Sequence, residues 1–194
     1  GATRADVWVG VPGPRAGDAD EIAIALAGQL AARSASGLGA LSTGQSALSH
    51  GGIVWLAVSV KPESAAIAAR RLETALSSQG SNTVGKAELE SLKSAVQSAF
   101  SMRFESLEGL VDQWSAEAAL GLTIEELAAF PERVGAVTSA SLATAARRWF
   151  DPAHTQFVVV GPAAAMRGTL RALAPITDVG AAAPSAGAPA TPAM

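Results

Sequence analysis

Side chains suited to metal or acid–base chemistry are scarce in this chain, which has two histidines, His50 and His154, and no cysteine. A peptidase zinc centre of the H-x-x-E-H or H-E-x-x-H kind needs two imidazoles one helical turn apart with a glutamate beside them. His50 and His154 lie far apart in two predicted turns, so they read as exposed turn residues and no metal site is assigned. A cysteine nucleophile and thiolate ligands are excluded outright. No G-x-S-x-G elbow, P-loop or G-x-G-x-x-G occurs, and in the nearest glycine cluster, Gly10 to Pro14, the prolines lack the N–H groups that would cradle a phosphate. Serine is plentiful, but two turn histidines give no Ser/His/Asp set. Glu88, Glu90, Glu105 and Glu108, near Lys86, Lys93 and Arg103, read as a solvated helix face. Trp8, Trp55, Trp114 and Trp149 fall within apolar patterns, so core packing is the default reading for each, with an aromatic binding face as the alternative.

What remains is a scaffold. The chain has 194 residues, 49% of them hydrophobic, enough for one ordinary domain, or two small ones, with a sizeable core and no disulfide. A net charge of -3 with scattered Lys and Arg gives no footprint for nucleic acid. Lys61, Arg70 and Arg71 interrupt the richest apolar region, so no membrane span is predicted.

The clearest local grammar runs from Val134 to Pro162. Thr138 can cap a helix with Leu142, Ala145, Ala146 and Trp149 on one face; Asp151-Pro152 stops it, and Phe157 to Val160 reads as a buried strand closed by Gly161-Pro162. Upstream, Asp6 to Val11 reads as a first strand. A helix is predicted from about Ala19 to Arg33, with Asp18 as N-cap and Glu21 completing a capping box. Its far face is small and polar. Ala40 to Ser49 and Ile53 to Val60 read as a hairpin around His50-Gly51-Gly52. Pro62 to Ser64 opens a helix with Ile67, Leu72 and Leu76 on its apolar side, broken at Gly80 to Asn82. A helix from Lys86, with Leu89, Leu92, Val96 and Phe100 at helical spacing, continues to Leu120 with a kink near Gly109. A short helix over Ile124 to Phe130, a turn at Pro131 and a last helix over Met166 to Leu173 complete the pattern. This order predicts a two-layer α+β domain over residues 3–176, a mostly antiparallel sheet packed against helices, with the split β-α-β ferredoxin-like arrangement as its simplest form. Residues 177–194 form an Ala/Pro-rich tail that cannot offset its ordering entropy and reads as disordered.

Glu88 to Lys93 (ELESLK), Ala136 to Leu142 (AVTSASL), Phe157 to Pro162 (FVVVGP) and Pro62-Glu63 after a strand, taken in this order, resemble the non-catalytic, C-terminal-type domain of the insulinase (pitrilysin) metallopeptidase superfamily, which includes mitochondrial processing peptidases. The resemblance covers most of residues 6–173. It implies one half of a clamshell that closes around a peptide, with zinc carried by a partner half bearing H-x-x-E-H and none in this chain. It also implies a substrate-binding Arg followed seven residues later by a Tyr. Arg33 matches that Arg and Gly37-Leu38 match the intervening residues, but Ala40 stands where the Tyr would be, and the chain has no Tyr. Ala40 cannot donate to an oxyanion, so the resemblance leaves no catalytic residue here and Arg33 as the one substrate-binding candidate. Read from position alone, Arg33 is equally a helix C-terminal cation offsetting the dipole. The implied partners are a zinc-bearing domain or subunit, an extended peptide, or a second copy in a homodimer. A degenerate scaffold or dimerisation module that binds no peptide is the rival reading, and bacterial relatives make a periplasmic location compatible. Equilibrium dialysis of the isolated chain against Zn²⁺ is expected to show only substoichiometric uptake, and one tightly held ion per chain would contradict this reading of its histidines.

Overall fold

The computed structural model describes residues 3–102, 104 and 106–179. Strand β1 (Ala5–Gly13) is followed by helix α1 (Glu21–Ser34) and the hairpin β2 (Leu41–Leu48) and β3 (Gly51–Val60). Helices α2 (Ala65–Ser77), α3 (Lys86–Met102), α4 (Leu107–Ala119), α5 (Ile124–Ala128), α6 (Phe130–Ala136) and α7 (Ser139–Trp149) lead to β4 (Gln156–Val160), and α8 (Ala163–Arg171) follows. The four strands lie in the order β2-β3-β1-β4 with every adjacent pair antiparallel. That is the arrangement of a split β-α-β sandwich, as the element order predicts.

Strand side chains alternate between faces, so the register decides which residues meet the helices. Val7 pairs with Val58 and Val159, and Val9 pairs with Leu56 and Phe157. Val7, Val9, Val11, Val54, Leu56 and Val58 are buried on this inner face. Against it pack Ile24 and Leu26 of α1, Leu72 and Leu76 of α2, and Leu142 of α7, all essentially inaccessible to solvent. Ala23, Ala27 and Ala31 are buried too, and α1 touches α2 and α7 as well as the sheet. These small residues let α1 pack closely against its helical neighbours.

Helix boundaries follow local chemistry. Thr138 caps α7 by accepting from the Ser141 amide at 3.1 Å, while Ser141 Oγ accepts from the Thr138 amide at 2.9 Å. Thr123 and Glu126 form the same reciprocal box on α5. Asp18 does not cap α1. Its Oδ1 accepts from the Asp20 amide at 2.9 Å, Glu21 Oε2 reaches back to the Gly17 amide at 2.9 Å, and the helix begins at Glu21. The expected kink near Gly109 is instead a break between α3 and α4, where Ser106 accepts from the Gly109 amide at 3.0 Å and starts a new helix. Pro131 sits in the first turn of α6, where its missing N–H costs nothing. Ile67 points outward and is 64% exposed, because the buried stripe of α2 runs through Ala65, Ala68, Leu72, Ala75 and Leu76. The charged face of α3 is only partly solvated: Lys93 is buried, donating to the Gly135 carbonyl at 2.9 Å and to Glu90 at 3.1 Å, whereas Arg103 and Glu105 lie outside the described residues. Residues 180–194 of the predicted tail lie outside them too. No helix among the described residues is long and apolar enough to cross a membrane.

Truncating Leu26 or Leu142 to Ala is expected to cost about 2–5 kcal/mol, whereas Ile67→Ala stays within about 0.5 kcal/mol. Urea unfolding of the three variants measures the contrast.

Candidate functional site

The helices cover one face of the sheet, and the other carries an aromatic cluster. Trp55 in β3 has glycines as cross-strand partners on both sides, Gly10 of β1 and Gly44 of β2. Gly44 gives the indole room to lie down on the sheet, because a Cβ there would collide with the Trp55 ring, whereas a Cβ on Gly10 would press on Ile53. Trp8 projects from the same face and meets Trp55 at 4.7 Å between ring centroids, tilted by 47°. Ile53, Val158 and Val160 extend the surface, at 42%, 58% and 61% exposure, with Trp8 at 40%. Trp8 and Trp55 are therefore not core residues, nor does half-buried Trp114 of α4 join the core among the described residues, contrary to their sequence patterns. Trp149 does pack against the core, and its indole N–H donates to Asp20 at 2.9 Å.

Strand β4 pairs with β1 on one side only and ends the sheet. The expected buried strand is a half-exposed edge: Phe157 and Val159 face inward, while Gln156, Val158 and Val160 face out. Such an edge presents free backbone donors and acceptors to another extended segment. Here it adjoins the apolar face, because Val158 pairs with Trp8.

Arg33 lies in the last turn of α1, exposed, with no hydrogen bond or ion pair from its guanidinium among the described residues. Gly37 and Gly39, at φ 94° and 123°, turn the chain toward β2, and Ala40 is exposed just before it. This loop reaches the sheet at the end where β3 closes, since Leu41 pairs with Val58. The histidines sit at the other end. His50 is in the β2–β3 turn with Nδ1 2.8 Å from Ser49 Oγ, and His154 precedes β4 with Nδ1 3.2 Å from Asp151. His50 joins β2 to β3 on one side of the sheet, and His154 precedes β4 at the opposite edge. Among the described residues no group of His, Cys, Asp and Glu could hold a metal ion.

Sequence reasoning missed a second polar feature. A cavity of about 320 Å³ opens between α1, α3, α4, α5 and α6, with Phe100 and Phe130 stacked at 4.4 Å in one wall and Glu21, Glu117 and Arg133 in another. Burial pushes the Glu21 carboxyl above its ordinary value of 4.5; the Gly17 amide and Arg133, 3.9 Å away, pull it down, while Glu117 and Asp18 add to the rise. Helical periodicity placed Glu21 at a helix start and gave no sign that α6 would bring Arg133 to it.

No protein-family model matches the chain, and no curated protein sequence matches it. Solved structures do. The inactive peptidase domain of a proposed zinc protease from Bordetella parapertussis superposes with a TM-score of 0.73 at 20% identity, over 84% of this chain and 92% of that one. The peptidase M16 inactive domain from Pseudomonas fluorescens gives 0.70 at 16% identity, over 82% of this chain and 41% of that one. The periplasmic protease PqqL from Escherichia coli gives 0.66 at 14% identity, over 82% of this chain and 19% of that one. The chain thus has the fold of the inactive domains of M16 zinc peptidases, the fold that its resemblance to the insulinase superfamily implies.

Two outcomes follow from the side chains. Because the folded state holds the Glu21 proton more tightly than the unfolded chain, Glu21 subtracts stability as pH rises from 4.5 through its folded pKa. The stability of Glu21→Gln relative to the parent should therefore climb with pH across that window and level off above it; a pH-independent difference in urea midpoints would contradict this. Gly44→Val should unseat Trp55 and weaken the near-ultraviolet dichroism of the Trp8–Trp55 pair, and an unchanged spectrum would count against the packing described.

Proposed function

We propose that this chain is a catalytically inert half, or partner subunit, of an insulinase-type zinc peptidase, with residues 3–176 as its folded domain. It walls a chamber, docks a zinc-bearing half and helps to hold an extended peptide. The observation that carries this reading is the pairing of an open aromatic sheet face with the free edge of β4 on a domain of this fold. An extended peptide can add its backbone to the edge while alternate side chains rest on the apolar surface. Arg33, unpaired among the described residues, is available to a peptide carbonyl or carboxylate. Its chemistry stops at binding, because Ala40 supplies no hydroxyl to a reacting centre. A periplasmic setting suits this reading through the likeness to PqqL.

The rival reading, a scaffold without peptide binding, draws on that same exposed Ala40. Combining the chain with a candidate half that carries H-x-x-E-H separates the two. Under our reading the pair co-purifies and hydrolyses peptides, the chain alone with Zn²⁺ does not, and Arg33→Ala weakens peptide capture about tenfold, as expected for one hydrogen bond to a charged group. Co-purification without peptide capture supports the scaffold, and hydrolysis by the isolated chain overturns both.

A further inference from the structure

The surface of the helical layer is electrically lopsided. From Leu107 to Glu132, through α4, α5 and the start of α6, there are six carboxylates and no basic residue. Among the described residues none of the six is in an ion pair; Glu126 and Glu117 instead accept from the Thr123 amide and from Gln113. Neither α4 nor α5 has a buried residue. Leu107, Val111 and Ile124 are 77%, 54% and 56% exposed, and Glu108 and Asp112 lie beside Leu107 and Val111 at the same four-residue spacing. This lobe is an amphipathic surface whose apolar stripe has an acidic rim.

The opposite character gathers at the far end of α1. Helices α2 and α8 pack together there and carry Arg70, Arg71, Arg167 and Arg171, with Lys61 just before α2. Glu73 pairs with Arg70 at 3.8 Å and Asp178 with Arg167 at 2.8 Å. Lys61, Arg71 and Arg171 then remain without a carboxylate in ion-pair range among the described residues, against Glu63 alone. Ile67 stands exposed beside Arg70 and Arg71, and a shallow groove runs from these arginines to Ser34 and Ala35 at the end of α1. The lobe abuts the start of α1 through Arg133 and Glu21, so the two surfaces sit at opposite ends of a 14-residue helix. That separation is about 20 Å, too far for them to meet within one chain.

We infer that the acidic α4–α5 lobe docks onto the basic α2–α8 end of a second copy of this chain. Apolar residues meet at the centre of the contact, and oppositely charged rims fix its register and relieve the self-repulsion of the lobe. The inference is independent of the peptidase reading, since it uses neither the sheet face nor Arg33.

The test is sedimentation velocity at concentrations up to about 100 µM, in ~50 mM and ~1 M salt. The parent should exceed the 19.4 kDa monomer at low salt and return toward it at high salt. The charge-reversed variants Glu108→Lys/Asp112→Lys and Arg70→Glu/Arg71→Glu should each be monomeric, because like charges then face one another. An equimolar mixture of the two should associate again, because reversed charges meet reversed charges in one contact and native charges meet in the other. Far-ultraviolet dichroism identical to that of the parent shows that these exposed positions leave the fold intact. A parent that stays monomeric at low salt, variants that still associate, or a mixture that does not recover would each overturn the inference.

Discussion

Everything in this molecule hangs on β1, the strand that lies between β3 and β4. It is antiparallel to both neighbours, so Val7, Val9 and Val11 set the face on which the register of the whole sheet must place its apolar side chains. A slip of one residue would turn them toward solvent and bring Asp6 and Trp8 against Leu26, Leu72 and Leu142. The first and last strands of the chain thus meet in one sheet, and the long helical excursion between β3 and β4 has to return to β1 before that sheet is complete.

The same alternation produces the surface that is left over. Each residue of β1 that does not face the helices faces outward, and on that face Gly44 makes room for the Trp55 indole, which meets Trp8. Tryptophans packed together on an open sheet beside a free strand edge are costly for a protein that must stay dispersed. A peptide or a second half laid over them would remove that cost, which ties the proposed role to a physical need of this fold.

Much of the fold was legible because period-two and period-3.6 patterns report directly on which side is buried. The β2–β3 hairpin, the Thr138 cap and the buried face of α7 follow from residue types a few positions apart. What was not legible depends on partners distant in sequence. The run Phe157 to Val160 has the composition of a buried strand, yet it lies at an edge because the sheet order places nothing beyond it. Trp8 has an apolar context but falls on the outward phase of β1, and Ile67 misses the buried stripe of α2. Lys93 has the charged surroundings of a solvated side chain, but α6 brings the Gly135 carbonyl to it. At the candidate site, Arg33 was visible only through a resemblance, and the open face with its free edge only through topology.

Under the proposed function, the uncovered sheet face and the β4 edge are where the zinc-bearing half and its peptide meet this chain. Amide hydrogen exchange, measured on the chain alone and bound to that half with a peptide present, addresses this directly. New protection is expected at Gln156 to Val160 and along Trp8 and Trp55, with little change in α2 and α3. Protection confined to the helical layer, with β4 exchanging as in the free chain, would contradict it.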